Sequence, residues 1–204
     1  ALIWHTLSHR KTEPLNHSFP MRIIAGRLRR RTFKAPDDLS TRPTTDRVRE
    51  SIFNVLEARI DFHGLQVLDL FAGTGALGFE AISRGASFVT FVEQNSKVVK
   101  IARENAEALG IADQGSFLRG DAVAFLERTP GPRYGLVFAD PPYELEAMDR
   151  MPELAQPHLA PGGLFVLEHS KAHTFDDHPR LVTSRRYGRT VVSVFRDEVE
   201  GPES

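Results

Sequence analysis

The sequence contains no cysteine, which excludes a disulfide framework and any thiolate metal site. It also lacks an apolar run near the roughly 18 residues that a membrane span needs. No charged-then-apolar leader opens it, so a cytoplasmic protein with no membrane partner is expected. Of its eight histidines, His5, His9 and His17 fall in an opening that reads as a tail, the others show no ligand spacing, and no metal is expected. Neither sign of charge dominates: 26 Lys and Arg against 27 Asp and Glu leave a formal net charge of −1. That balance alone argues against a surface made throughout for polyanions. No internal repeat or low-complexity stretch is visible.

What is present is an ordinary globular composition, 41% hydrophobic and 26% charged over 204 residues. That suffices for one domain with a full core and a small appendage. The charges are unevenly placed. Arg27, Arg29, Arg30, Arg31 and Lys34 crowd one stretch without a carboxylate, and Arg42, Arg47 and Arg49 follow closely. A local basic patch can hold phosphates on a molecule of neutral total charge, although a solvated hairpin would look the same.

Residues 1–20 carry no periodicity and read as a tail or upstream extension, as do 198–204 at the other end. Arg22–Ala25 and Arg30–Lys34 read as two short strands joined at Gly26. Val48, Ile52, Val55 and Leu56 form an amphipathic stripe, with Thr44 or Thr45 as cap and Asp46 on the positive end of the dipole. Residues 21–60 are therefore expected to form a basic hairpin and helix.

From residue 66 strands and helices alternate. Val67–Leu70, Phe88–Val92, Ser116–Leu118, Leu136–Ala139 and Leu164–Leu167 read as strands. Gly75–Arg84 is a helical stretch, and Val98, Ala102, Asn105 and Leu109 mark one face of the next helix. That alternation predicts a parallel sheet covered on both faces. Leu181–Tyr187 and Thr190–Phe195, joined at Gly188, leave no room for a crossover helix and read as an antiparallel hairpin. The fold class is α/β: a mainly parallel Rossmann-like sheet over residues 61–197, closed by a C-terminal antiparallel hairpin, as in class I methyltransferases.

The first strand runs into Asp69-Leu70-Phe71-Ala72-Gly73-Thr74-Gly75. Gly73 and Gly75 permit a tight turn and close approach of a ligand to the backbone, beyond the carboxyl end of the strand. Dinucleotide enzymes use a similar turn. Here an acid precedes it, which repels a pyrophosphate and can pair with the cationic amino-acid end of S-adenosylmethionine. Glu93 ends the second strand, where a carboxylate can accept both ribose hydroxyls, or can simply open a helix. Asp121 follows the third strand, where it can accept from an adenine amino group or serve as an N-cap. Phe71, Ala72, Gln94 and Ala122 complete the expected cofactor contacts.

Asp140-Pro141-Pro142-Tyr143 follows the strand Leu136–Ala139. Two prolines stiffen the corner and remove two N–H donors. The amino group on a base is a poor nucleophile because its lone pair is delocalised into the ring. Acceptors on both of its hydrogens would aim the nitrogen at a methyl donor. The Asp140 carboxylate and a backbone carbonyl, that of Pro141, can supply them, and Tyr143 can stack on the ring. A strand-ending turn is the plain alternative.

With both motifs in place the chain resembles the RsmD-type family of 16S rRNA (guanine-N2)-methyltransferases from about Arg22 to Phe195. The segment Arg42-Pro43-Thr44-Thr45-Asp46-Arg47-Val48-Arg49-Glu50 is its most specific part. The resemblance implies methylation of guanine N2 in small-subunit ribosomal RNA, within an assembled or partly assembled subunit, with S-adenosylmethionine as donor; a monomer is expected. Residues 21–60 would then face RNA, with Arg29, Arg30 and Arg31 on phosphates and Arg42, Thr44 and Arg47 bordering the cleft. Competing readings are a DNA adenine-N6 or protein glutamine-N5 methyltransferase, and a non-catalytic RNA-binding or ribosome assembly factor.

Overall fold

The computed structural model of the chain describes residues 20–35, 46–128, 131 and 133–197. Residues 1–19 and 198–204 of the expected tails, and Arg42, Thr44 and Thr45, lie outside the described residues. The frame is a seven-stranded sheet in the order β5-β4-β3-β6-β7-β9-β8. Its strands are β3 (Gln66–Leu70), β4 (Phe88–Glu93), β5 (Gly115–Arg119), β6 (Tyr134–Ala139), β7 (Leu159–Ser170), β8 (Leu181–Tyr187) and β9 (Thr190–Arg196). The first five run parallel, and β9 pairs antiparallel with both β7 and β8.

Strand alternation divides the core. Val67, Phe138, Val166 and Val192 pack on one face with α1 (Asp46–Glu57) and α2 (Ala76–Ser83). Leu68, Val137, Leu167 and Phe195 pack on the other with α4 (Ala122–Leu126) and α5 (Met151–Ala155). β7 is longer than the expected Leu164–Leu167, because pairing resumes at Leu159 across a register shift between Tyr134 and Leu136. In α3 (Ser96–Leu109) Asn95 accepts from the Lys97 N–H at 3.0 Å and Gly110, at φ 70, ends the helix. Its inner stripe is Val99, Ala102, Asn105, Ala106 and Leu109, so Val99 rather than Val98 holds the buried position. Steps of three and four residues, from Val99 to Ala102, on to Asn105 and Ala106, and then to Leu109, keep those side chains on one face.

The N-terminal hairpin is shorter than its sequence suggests. β1 (Met21–Arg22) pairs with β2 (Thr32–Phe33) through Met21↔Phe33 and Arg22↔Thr32, and past the strands Ile23 exchanges hydrogen bonds with the Arg30 N–H and the Arg31 carbonyl, both at 2.9 Å. The N–H groups of Ile24 and Ala25 donate instead to the Glu80 carboxylate, at 2.8 and 2.9 Å. Arg30 takes a left-handed conformation, φ 69. Gly26, also left-handed, lies so close to the end of α2 that a Cβ there would fall 1.9 Å from the Ser83 carbonyl oxygen. Ile23, Leu28 and Phe33 join the same core as Phe79 and Ile82. The basic opening is thus built onto the sheet domain.

Helix direction gives this hairpin a polarity. α2 and α3 leave the carboxyl ends of β3 and β4 and finish at the opposite edge of the sheet. The turn rests on those finishing ends: the Arg27 N–H donates to Ser83 O at 2.8 Å. The Arg31 guanidinium donates to Ala108 O and Leu109 O at 2.5 and 2.7 Å. At the other end of the hairpin, Met21 Sδ accepts from Thr74 Oγ1 at 3.7 Å, beside the glycine loop. α1 shares that direction, since Asp46 at its start pairs with Arg22 and Glu57 at its end pairs with Arg84 at the end of α2. Its first turn, with exposed Arg47, therefore stands at the carboxyl edge of the sheet.

Candidate active site

The β3–α2 loop turns through three left-handed residues, Phe71 (φ 54), Gly73 (φ 54) and Gly75 (φ 94). A Cβ at Gly75 would strike the Phe79 ring at 2.6 Å, whereas one at Gly73 would meet nothing within 4 Å. The first glycine thus faces open space and the second lets the helix close on its strand. The Ala72 N–H donates to Val92 O at 3.1 Å, and the Gly73 N–H donates to Glu93 Oε2 at the same distance. The other Glu93 oxygen accepts from the Asn95 N–H at 2.7 Å. Half-buried Glu93 therefore holds the rim of the loop from the next strand, while Gln94 beside it is exposed.

Asp69 sits deeper than the sequence reading placed it. Only 1% exposed, it accepts from the Gly78 N–H of α2 at 2.9 Å. Burial holds its carboxyl well above the usual carboxylate range. The Gly78 N–H opposes that shift, and the neighbouring charges of Asp140 and Glu93 add to it. Strand parity explains the placement, since Asp69 points to the face that α2 covers. Asp121 is exposed and caps α4, accepting from the Ala124 N–H at 2.8 Å, as the N-cap alternative describes. Ala122 behind it is buried, and Gly120 opens on free space.

Asp140 leaves β6 one step beyond Ala139, which pairs with Leu70 on one side and Leu167 on the other. Continuing that register sets Asp140 between Phe71 and Glu168. Alternation from Phe138 and Val166 turns both acids to the face where Asp69 lies. Four neighbouring strands thus bring Glu93, Asp69, Asp140 and Glu168 to one edge. Pro141 is buried, Pro142 exposed, and the Pro142 carbonyl accepts from the Leu145 N–H at 3.0 Å. Among the described residues no hydrogen bond reaches the Pro141 carbonyl. Tyr143 is 38% exposed and its hydroxyl lies 2.6 Å from Thr190 Oγ1, on the C-terminal hairpin.

The basic candidates separate. Arg47 stands at the carboxyl edge, while Arg29 and Arg30 are exposed on the turn at the opposite edge. Arg31 is drawn onto the end of α3, where a cation meets unpaired carbonyls at the negative end of the dipole. The sequence reading names Asn105 for its helix face and Arg49 for its charge without their positioning roles, and it misses Glu80. Glu80, fully buried, accepts from two hairpin N–H groups and pairs with Arg84 at 2.9 Å. The Asn105 amide exchanges hydrogen bonds with the Lys34 backbone at 2.9 and 3.1 Å and donates to Thr74 O at 3.3 Å. Arg49, also fully buried, donates to Arg22 O at 2.6 Å and to Asp46 at 2.9 Å. Glu80 and Asn105 fall on helix stripes as polar residues at core positions, which is the signal that could have revealed them.

A mainly parallel sheet closed by an antiparallel hairpin, with acids at successive strand ends and an Asp-Pro-Pro-Tyr corner beside a glycine loop, defines a class I methyltransferase. The family model described as Conserved hypothetical protein 95 matches residues 21–196, and the chain belongs to that family. The resemblance to the RsmD type holds. Ribosomal RNA small subunit methyltransferase D of Haemophilus influenzae is 34% identical over 166 residues, 79% of this chain and 85% of that protein. The solved structure of Escherichia coli yhhF has a TM-score of 0.77 at 32% identity, covering 89% of this chain and 99% of that one. The fold also recurs in the Thermus thermophilus 16S rRNA N2 G1207 methyltransferase RsmC, solved with AdoMet and guanosine. There the TM-score is 0.69 at 21% identity, over 88% of this chain and 50% of that one.

Proposed function

We propose that this chain transfers a methyl group from S-adenosylmethionine to the exocyclic N2 of a guanine in small-subunit ribosomal RNA. The observation that carries the reading is the stiff corner Asp140–Tyr143, set one strand from the glycine loop, with the Pro142 carbonyl engaged and that of Pro141 without a hydrogen bond among the described residues. The residues around the loop suit the cofactor. Gly73 and Gly120 leave open space, and Glu93 and Asp121 offer carboxylates to hydroxyl and amino groups. When bound, the cofactor supplies an electrophilic methyl group on a sulfonium.

The chain's own task is placement. The Asp140 carboxylate and the Pro141 carbonyl accept the two N2 hydrogens, which fixes the direction of the lone pair. Tyr143 packs on the face of the base, worth about 1–3 kcal/mol for a base on an aromatic ring. As the N–C bond forms and the methyl leaves its sulfur, N2 loses one proton along the hydrogen bond to Asp140 or to water. Arg47 lines the RNA side of the cleft, and Arg42 and Thr44, outside the described residues, are assigned there on the family pattern. The substrate is an assembled or partly assembled small subunit, met in the cytoplasm by a single chain. The relative named for small-subunit ribosomal RNA supports the RNA target, and RsmC, named for a guanine N2, supports the choice of atom.

The deciding experiment offers cofactor carrying a labelled methyl to naked rRNA, small subunits, DNA and protein, followed by mass spectrometry of the product. Labelled N2-methylguanosine in small-subunit RNA is expected. Label on adenine, on glutamine or on nothing would overturn the assignment.

A further inference from the structure

The basic residues singled out in the sequence lie toward the start of the chain, yet those on the hairpin turn face the edge of the sheet away from Asp140. A second basic group lies at the catalytic edge. In the ladder, Ser170 at the carboxyl end of β7 pairs with Thr190, and Tyr187 pairs with Thr190 across the turn. The β8–β9 tip therefore projects where the parallel strands end. Gly188, at φ 64, makes the turn tight, and Arg186 Nε donates to its carbonyl at 3.0 Å. Arg185, Arg186 and Arg189 are exposed, with Lys171 exposed just beyond β7. Between Lys171 and Arg189 the only acids are Asp176 and Asp177, in the loop before β8. Arg185 and Arg189 make no ion pair among the described residues. Glu144 and Glu146, just after Tyr143, are exposed acids, so beside this corner positive charge comes from the hairpin tip, and from Arg47 on α1.

We infer that the β8–β9 tip is a phosphate-binding lip of the RNA site, with Arg185 and Arg189 holding the backbone of the strand that carries the target base. The 2.6 Å contact between Thr190 and Tyr143 makes that lip continuous with the corner that receives the base. An anionic chain entering the corner passes the tip within reach of a guanidinium. The inference rests on the proposed RNA substrate and adds a second, C-terminal source of backbone contacts.

The test is binding of the full-length R185Q/R189Q double variant to small subunits lacking the methyl mark, measured over a range of KCl concentrations. Loss of two phosphate contacts makes the slope of log K against log salt shallower by about 1.4–1.8. Affinity for S-adenosylhomocysteine, measured alongside, reports whether the variant has kept its fold. On the wild-type protein, bound subunits are expected to protect Arg185 and Arg189 from phenylglyoxal. An unchanged slope in a cofactor-binding variant, or unprotected arginines in wild type, overturns the lip. Failure of the wild-type protein to methylate any RNA is a separate result, which overturns the proposed function.

Discussion

At the residue scale two acids of one sheet edge have opposite tasks. Asp140 stands at the corner where an amino group must be oriented, and its value lies in an acceptor already in place. Removing one preorganised polar partner at a reacting centre costs on the order of 10²–10³ in turnover. Asp140→Ala is expected to lose at least that much methyl transfer while its affinity for S-adenosylhomocysteine stays close to wild type; turnover within a factor of ten would refute the acceptor role. Asp69 is closed off beneath the loop, where burial raises its pKa. The folded chain then keeps this proton at pH values where the unfolded chain has released it. Stability from Asp69 is therefore full in acid and falls as pH rises from the ordinary carboxylate range through the raised pKa. Asn at this position keeps an oxygen for the Gly78 N–H and cannot ionise. Urea midpoints of Asp69→Asn and wild type are expected to agree near pH 4 and to separate in favour of the variant toward pH 8. A gap that narrows as pH rises would contradict the placement.

At the scale of elements, the basic hairpin depends on α2. A two-residue ladder between β1 and β2 holds little by itself. Glu80 replaces the missing rungs, accepting from the Ile24 and Ala25 N–H groups while it pairs with Arg84 in the interior. Removing Glu80 leaves the buried Arg84 side chain with exposed Glu57 as its remaining carboxylate and takes the acceptor from two hairpin N–H groups, at a cost of about 3–5 kcal/mol for a broken buried pair. Glu80→Ala is expected to lose stability of that order in urea unfolding, with faster hydrogen exchange at Ile24 and Ala25. Slow exchange in an otherwise weakened protein would show that the hairpin holds itself.

The same element shows what a one-dimensional reading can reach. The alternation of Val67–Leu70, Phe88–Val92 and Leu136–Ala139 with helical stripes was legible because burial on both faces leaves a continuous apolar run. The glycine loop and the Asp-Pro-Pro-Tyr corner were legible because their chemistry is local. The roles of Glu80 and Asn105 were not, because their hairpin and loop partners lie 55–56 residues away for Glu80 and 31 and 71 for Asn105, and only the fold joins them. Asp69 was located correctly along the strand, but its depth depends on α2 closing over it.

At the scale of the whole molecule, a net charge of −1 conceals two groups of arginines at opposite edges of one sheet. Strands of five to six residues are about 17–20 Å long, so Arg29 and Arg30 stand roughly that far from the corner. The screening length near physiological salt is about 8 Å, which makes any field from that turn weak at Asp140. If those two arginines touch RNA, they touch a part remote from the target base, and only a large substrate can reach both edges. Neutralising them in the R29Q/R30Q variant is therefore expected to flatten the salt dependence of binding to whole subunits. Binding of a guanine-containing trinucleotide should be unaffected. Equal losses on both ligands would place the turn beside the catalytic corner, against the helix directions that set it apart. No loss on either would leave the turn as a solvated face.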